Sequence, residues 1–445
     1  MYNRSQLIDD LRRPDAYADP VDEVELIETH ISWVLLAGDF AYKLKKPVDL
    51  GFVDFSSLEK RLNYCREEMR LNGRLAPQLY LEVVPVVLSD GRPRMFGEGE
   101  IVEYAVKMRR FSQDSLFDRM LDRGALRASH IDELAAGGAE FHSYTAGAPD
   151  DSNYGNLDAV WSPLEENFNH LTQMPDHPER TRQIEALWDW GREEFAKRTN
   201  AFDTRKSQGC IRECHGDLHL GNMLVHDDQV LLFDCIEFND RLRWIDVMRD
   251  VAFTVMDLQD RRRTDFAFRF LDGYLQQTGD YGGLRLLRYY LVYRALVRAK
   301  VAGIRFAQAG ADDNVRAEAE RLLQEYLDLA QRYTQPPPRL LLITHGVSGS
   351  GKSTVTQQLL QTLPAVRVRS DIERKRMFSA DTPAETLYSA AATEQTYDRL
   401  KQAARSAIDG GYIGIADATF LYRRWRNDFR QLAAELDARF VILEI

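Results

Sequence analysis

The chain has 445 residues, of which 44% are hydrophobic and 29% are charged, and it carries a net charge of −11. This length exceeds what one hydrophobic core usually supports, so two or three domains are expected, and the composition excludes an extensively disordered protein. The first 15 residues lack an apolar segment and no apolar run reaches about 18 residues, which argues against a signal peptide or membrane span and favours the cytoplasm.

The charge indicates which kinds of ligand each part of the chain could bind, and the cysteines indicate the redox compartment. Residues 339–445 contain 15 Lys and Arg against 12 Asp and Glu, which leaves −14 for the first 338 residues. An acidic surface disfavours binding along a nucleic-acid backbone and favours a neutral or cationic small substrate, whereas the C-terminal part suits an anion. The four cysteines form no CxxC pair, as expected for a reduced compartment and no zinc site.

The first 145 residues alternate between strand and helix patterns, beginning in residues 1–30 with a helix and then a polar segment. Residues 29–48 predict two strands joined at Gly38 and Asp39, with Lys43 and Lys45 on one face of the second strand. Residues 56–75 predict a helix with a serine N-cap that contains Glu67 and Glu68, and residues 79–88 and 100–111 predict two further strands. Helical spacing follows in residues 113–145 and 160–200, whose aromatic residues we interpret as core.

Residues 214–238 form a polar loop followed by an apolar strand. Asp217 and Asn222 are separated by four residues, the spacing with which a kinase catalytic loop places a base for a hydroxyl and an oxygen ligand for magnesium. The apolar run then leads to Asp234, a further oxygen ligand. Three such oxygen side chains suit Mg²⁺, which prefers a few carboxylate or amide ligands plus phosphate and water.

The motif His-Gly-Asp-Leu-His-x-Gly-Asn, followed by an apolar strand and Phe-Asp, resembles the aminoglycoside phosphotransferase family, over roughly residues 20 to 330. The resemblance implies a bilobal protein-kinase-like fold, with an N-lobe at about 20–108 and a C-lobe at about 109–332. It makes Asp217 the base or orienter of the attacking hydroxyl, and Asn222 and Asp234 the metal ligands. We interpret His215 and His219 as supports of the loop.

The same resemblance assigns the N-lobe residues that bind ATP. A lysine on the second strand would hold the phosphates, and we favour Lys43 over Lys45 because Ala41 matches the family pattern. A glutamate of the following helix would pair with it, and the sequence does not decide between Glu67 and Glu68.

Three prolines in residues 335–339 end a helical region and predict an extended linker between a domain at 1–335 and a domain at 339–445. Beyond them, an apolar strand, a glycine-rich loop and a helix contain a full Walker A motif, Gly346-x4-Gly351-Lys352-Ser353. Its backbone N–H groups and helix N-terminus would bind phosphate, while Lys352 reaches the β and γ oxygens and Ser353 ligates magnesium. The predicted ATP-binding residues are Gly346, Ser348, Gly349, Ser350, Gly351, Lys352, Ser353 and Thr354.

The segment after this motif resembles the small P-loop kinases, such as gluconate, shikimate-like and polynucleotide kinases and the zeta toxins. The resemblance makes Asp371 the group that accepts the hydroxyl proton and Arg374 a substrate-binding residue, although Asp371 also suits a helix N-cap. Asp417 ends a further strand at the Walker B position and could hold magnesium or its water. The chain stops on a strand without the arginine-bearing lid of such kinases, so turnover at this site is in question.

The leading hypothesis is a protein-kinase-like domain followed by a P-loop parallel-sheet domain, that is, α+β and α/β folds in tandem. Each would transfer phosphate from Mg-ATP to a small hydroxyl acceptor such as a sugar, an amino alcohol or an aminoglycoside-like compound. One alternative makes the P-loop domain a nucleic-acid 5′-hydroxyl kinase with an accessory first domain. The other is a regulator that binds ATP without transferring phosphate, which nucleotide binding without a labelled product would distinguish.

Overall fold

A computed structural model describes residues 4–51, 53–174, 177–308, 313–378 and 382–445. The contacts divide the chain into two units, Met1–Leu126 with Cys214–Trp244, and Arg127–Glu213 with Ile245–Ile445. None of the helices in the described parts combines the length and apolar character that crossing a membrane requires.

The helices and strands of the first 126 residues are, in chain order, α1 (Arg4–Leu11), β1 (Val24–Glu28), β2 (Ser32–Ala37), β3 (Phe40–Lys45), α2 (Leu58–Asn72), β4 (Tyr80–Ser89), β5 (Arg92–Arg94), β6 (Glu100–Arg109) and α3 (Phe117–Asp122). Up to residue 246 they continue as α4 (Ala128–Tyr144), α5 (Leu157–Thr172), α6 (Pro178–Ser207), β7 (Ile211–Glu213), β8 (Met223–His226), β9 (Gln229–Leu232), α7 (Asp240–Arg243) and β10 (Trp244–Asp246).

The rest of the chain forms α8 (Val247–Asp260), α9 (Thr264–Thr278), α10 (Leu284–Gln308), α11 (Asp313–Tyr333), β11 (Leu340–His345), α12 (Lys352–Leu360), β12 (Ala365–Arg369), α13 (Ser370–Met377), α14 (Ala384–Leu387), α15 (Ala390–Asp409), β13 (Ile413–Asp417), α16 (Arg423–Glu435) and β14 (Arg439–Glu444). Residues 336–339, with the three prolines, lie in neither a helix nor a strand.

The first unit contains an antiparallel sheet in the order β1-β2-β3-β6-β4-β5. The predicted hairpin is confirmed: Ala37 pairs with Phe40, and Gly38 takes the turn position with φ +57°, which glycine adopts without strain. The predicted strands at 79–88 and 100–111 are confirmed as β4 and β6. The expectation of only a helix and a polar segment before residue 30 was wrong, because residues 24–28 pair along β2 as an edge strand.

Helix α2 begins as predicted, since the hydroxyl of Ser57 accepts a hydrogen bond from the backbone N–H of Lys60. One face of the helix is buried and packs on β4 and β6. Its buried residues are Arg61, Cys65, Glu68, Leu71 and Asn72. A carboxylate therefore lies on the covered face, three residues from Cys65 and from Leu71.

In the second unit, the predicted core aromatics of α5 and α6 pack on one another. The Trp161 ring lies 5.3 Å from the Trp188 ring and 5.1 Å from the Phe195 ring, and Phe168 lies 5.0 Å from Trp188. These contacts confirm their interpretation as packing residues.

The C-terminal part of the second unit contains a parallel sheet in the order β12-β13-β11-β14. The carboxyl ends of parallel strands share one edge of the sheet. The glycine-rich loop after β11, Asp417 at the end of β13 and Asp371 just after β12 therefore lie along one edge. This is the edge at which open α/β sheets bind ligands.

Candidate active site

The loop between β7 and β8 brings Asp217 and Asn222 together. The side-chain amide nitrogen of Asn222 donates to the backbone carbonyl of Asp217 at 3.0 Å and to its carboxylate at 3.2 Å. Because this nitrogen is the donor in both bonds, the amide oxygen is the atom that could ligate a cation. The Asp217 carboxylate is 37% exposed and therefore accessible to a hydroxyl.

Two histidines hold this loop. The buried His215 lies with Nε2 2.8 Å from the carbonyl oxygen of Phe233, and its Nδ1 accepts from the backbone N–H of Asp217 at 3.3 Å. His219 accepts from the N–H of Gly221 with Nδ1 and lies 3.4 Å from the Asp217 carboxylate with Nε2. These contacts agree with the interpretation of both histidines as loop supports.

Asp234 follows β9 in a strained backbone conformation. Its φ is +63°, which non-glycine residues adopt rarely, and its N–H donates to the Tyr80 hydroxyl at 3.2 Å. The Lys43 ammonium lies 2.5 Å from the Asp234 carboxylate. The structure thus joins the strand lysine to the second predicted metal ligand.

Glu68 is the glutamate that pairs with Lys43, with Nζ 2.8 Å from Oε1. The neighbouring Glu67 points elsewhere, to Arg70 at 2.6 Å and to Arg243 at 2.8 Å. The alternative that the sequence left open is therefore decided by geometry, and Glu67 has no contact with Lys43 among the described hydrogen bonds. Packing covers the face of α2 on which Glu68 lies with Cys65 and Leu71.

Lys45, which the sequence offered as the alternative to Lys43, belongs to the same cluster, and its partner Glu237 was not identified from the sequence. The Lys45 side chain is 1% exposed, and its ammonium donates to the other Glu68 oxygen at 2.7 Å and to Glu237. Glu237 is itself buried. An acidic residue within the apolar run of residues 230–238 was the signal that could have identified it.

The charges in this cluster set the protonation states. Burial alone would raise the pKa of Glu68, but the ammonium groups of Lys43 and Lys45 outweigh burial and lower that pKa to about 2. Burial likewise opposes the charge of Lys43, yet Asp234 and Glu68 raise its pKa well above the ordinary lysine value. Burial raises the pKa of Glu237 above 4.5. Lys43 therefore keeps its positive charge at neutral pH.

In the second unit, the Walker A residues form the expected loop and helix start. The backbone φ of Gly349 is +85° and that of Gly351 is +94°, both left-handed conformations that glycine permits. The Lys352 ammonium donates to the Val347 carbonyl at 2.5 Å, so it lies over the loop. Residues 352–354 form the first turn of α12, whose N–H groups face the loop.

Asp417 contacts the same helix. Its Oδ2 accepts from the Ser353 hydroxyl at 2.8 Å and from the Thr356 hydroxyl at 3.2 Å, and the aspartate is 4% exposed. The two predicted magnesium ligands of the P-loop site are thus in direct contact.

Two other predicted residues, Asp371 and Arg374, make their described contacts with other residues. Asp371 is the second residue of α13, does not cap it, and accepts from the Arg369 guanidinium at 2.9 Å. The buried Arg374 donates to the Leu387 carbonyl at 2.7 Å, and its guanidinium lies 5.1 Å from the Tyr388 ring. These contacts engage one guanidinium nitrogen, Nη1, inside the domain and favour a structural role, and the substrate role of Arg374 stays a prediction.

Two family models match successive segments of the chain. The model of the phosphotransferase enzyme family matches residues 53–287, and the model of an AAA domain matches residues 341–445. An uncharacterized protein of Mycobacterium tuberculosis is 32% identical over 437 residues, which cover 95% of this chain and 84% of that protein.

The solved structures to which the chain is similar include the following two. A choline/ethanolamine kinase family protein from Mesorhizobium loti is 12% identical, with a TM-score of 0.43, over 74% of this chain and 98% of that chain. An aminoglycoside phosphotransferase from Alicyclobacillus acidocaldarius is 14% identical, with a TM-score of 0.41, over 75% of this chain and 95% of that chain.

The prediction of a phosphotransferase domain followed by a P-loop kinase-like domain is confirmed, as is the fold class. The phosphotransferase match alone covers more than half of the chain. The protein therefore belongs to the phosphotransferase enzyme family and is an ATP-dependent phosphotransferase with a P-loop kinase-like C-terminal domain.

Proposed function

We propose that the protein is a bifunctional phosphotransferase with two separate Mg-ATP sites, one in each sequence module, at 1–335 and 339–445. Each site would transfer the γ-phosphate to a hydroxyl of a small molecule, such as a sugar, an amino alcohol or an aminoglycoside-like compound. The observation that carries the proposal is the contact of Lys43 with both Glu68 and Asp234, in the same unit as the Asp217 and Asn222 pair.

At the first site, Lys43 would bind the phosphates while Glu68 fixes its position. Asn222 and Asp234 offer an amide oxygen and a carboxylate, a donor set that fits Mg²⁺. When bound, the ion would neutralise phosphate charge. Asp217 would accept a hydrogen bond from the acceptor hydroxyl and orient it, which raises the rate by positioning as well as by proton transfer.

At the second site, the loop N–H groups and Lys352 would bind the phosphates. The Ser353 hydroxyl and the Asp417 carboxylate lie 2.8 Å apart and would hold a magnesium ion or its water. Asp371, exposed at the same sheet edge, would accept the hydroxyl proton of that acceptor.

Charge supports small neutral or cationic acceptors at the first site, because the first 338 residues carry a net charge of −14. The cytoplasm is the proposed location, since all four cysteines are free thiols.

The test is a γ-phosphate transfer screen with pooled sugars, amino alcohols, aminoglycosides and 5′-hydroxyl oligonucleotides. Wild type, Asp217→Asn and Lys352→Ala are compared, and each substitution is expected to abolish transfer to a different acceptor. Loss of every activity in either variant alone would contradict two independent sites. Nucleotide binding without any labelled product would favour a regulator, and labelled oligonucleotides would favour the 5′-hydroxyl kinase.

A further inference from the structure

Arg367, on β12, is a buried arginine that contacts two elements at once. On one side, its guanidinium donates to the Ser353 carbonyl at 3.0 Å, to the Thr356 hydroxyl at 3.2 Å and to the Gln357 side chain at 2.6 Å, all on α12. On the other side, it donates to both carboxylate oxygens of Asp272 on α9, at 2.7 and 3.4 Å.

Two of the three α12 residues that Arg367 contacts, Ser353 and Thr356, also contact Asp417. The hydroxyls of Ser353 and Thr356 both donate to the Asp417 carboxylate, at 2.8 and 3.2 Å. A continuous chain of polar contacts therefore runs from Asp272 through Arg367 and the first turns of α12 to the Walker B aspartate.

This chain joins two modules of the sequence. Asp272 lies within residues 53–287, which match the phosphotransferase family, whereas Arg367 lies within residues 341–445, which match the AAA domain. Both side chains are buried, with exposed fractions of 4% and 3%. Water can therefore not easily replace either partner, and the guanidinium must keep its carboxylate to stay in place.

We propose that Asp272 is a positioning residue for the P-loop site, acting through Arg367, which orients the first turns of α12. The proposal rests on the proposed function of that site as a Mg-ATP site. Without Asp272, a buried guanidinium loses its charged partner and shifts toward other acceptors. The carbonyl of Ser353 and the hydroxyl of Thr356 then lose a fixed donor, so the two magnesium ligands, Ser353 and Asp417, are held less well.

Arg399, on α15, offers a control contact just beyond the C-terminal end of α9. Its guanidinium donates to the Gly279 carbonyl at 2.6 Å and to Glu373 at 3.0 Å. It thus links α15 and α13 to the end of α9, and among the described hydrogen bonds it has none to α12. Arg399→Gln is therefore expected to weaken the attachment of the C-terminal domain to the end of α9 and to leave the Arg367 contacts intact.

The experiment uses the full chain and measures Lys352-dependent nucleotide binding and transfer as a function of Mg²⁺ concentration. Substituting a residue that holds a metal ligand in position typically lowers metal affinity or activity about 10- to 100-fold. For Asp272→Asn we expect a loss of about tenfold or more in Lys352-dependent turnover and a higher Mg²⁺ requirement. Transfer that depends on Asp217 should change by less than about twofold, and Arg399→Gln should retain the wild-type Mg²⁺ dependence.

A second variant covers the case in which Asp272→Asn does not fold. Arg367→Lys keeps the charge but loses the planar fork, so it cannot contact α12 and Asp272 together, and the same shift in Mg²⁺ dependence is expected. Wild-type Mg²⁺ dependence in either folded variant, or an equal shift in Arg399→Gln, would overturn the proposal. Absence of Lys352-dependent nucleotide binding in wild type would overturn the proposed function along with it.

Discussion

The substitution Glu68→Gln tests the buried charge cluster most directly. Glu68 is 0% exposed and accepts from two ammonium groups, at 2.8 Å from Lys43 and 2.7 Å from Lys45. Breaking a buried ion pair costs about 3 to 5 kcal/mol. We expect about 3 kcal/mol, because glutamine keeps the shape and an acceptor oxygen, and each lysine keeps another carboxylate, Asp234 or Glu237.

The same substitution should reduce transfer at the first site. Lys43 would lose one charge-assisted hydrogen bond, which is worth about 1.5 to 3 kcal/mol. If that energy orients the ammonium toward phosphate, kcat/KM falls about 10- to 100-fold. The free energy of unfolding is measured by denaturant titration, and kcat/KM with the acceptor that requires Asp217.

Glu67→Gln is the matched control, one residue earlier on the same helix. Glu67 is 25% exposed and pairs with Arg70 and Arg243, so its loss should cost about 1 kcal/mol or less. Its kcat/KM should stay within about twofold of wild type. Equal losses in the two variants, or wild-type stability and activity in Glu68→Gln, would refute the assignment of Glu68.

Three further predictions follow from the same structure. Because the pKa of Glu68 is lowered from 4.5 to about 2, its stabilisation is fully present above pH about 4.5 and is lost as the pH falls toward 2. The difference in unfolding free energy between wild type and Glu68→Gln should therefore shrink in acid. Glu237, whose pKa is raised, is present in both proteins. A difference in unfolding free energy that grows as the pH falls would contradict the prediction. Arg374→Gln should lower the stability by about 1 to 3 kcal/mol in thermal unfolding and leave the KM for the acceptor unchanged in steady-state kinetics. Unchanged stability with a raised KM would support a substrate role for Arg374. Asp417→Asn should reduce Lys352-dependent transfer about 10- to 100-fold and raise its Mg²⁺ requirement, whereas an unchanged titration with Mg²⁺ would remove this aspartate from the metal site.

Local patterns in the sequence were sufficient to predict much of the fold. The β2 and β3 hairpin, α2 and its serine cap, and the strand, loop and helix of the Walker motif all depend on residues close together in the chain. Turn chemistry, capping and hydrophobic periodicity act over that range. Edge strand β1 was not predicted, because its short segment of mixed polar and apolar residues forms a strand only by pairing with β2.

In the candidate sites too, some residues were predicted from local motifs and others were identified only from the tertiary structure. The sequence alone predicted two phosphate-binding motifs and the residues Asp217, Asn222, Asp234, Lys352 and Ser353 within them. Only the tertiary structure decided which of two adjacent glutamates faces Lys43, since neighbours on a helix point about 100° apart and packing selects the covered face. It also joined Lys45 to Glu237, 192 residues away, and Arg367 to Asp272, 95 residues away. Such partners meet only because elements far apart in the chain pack together, and no local pattern records that choice.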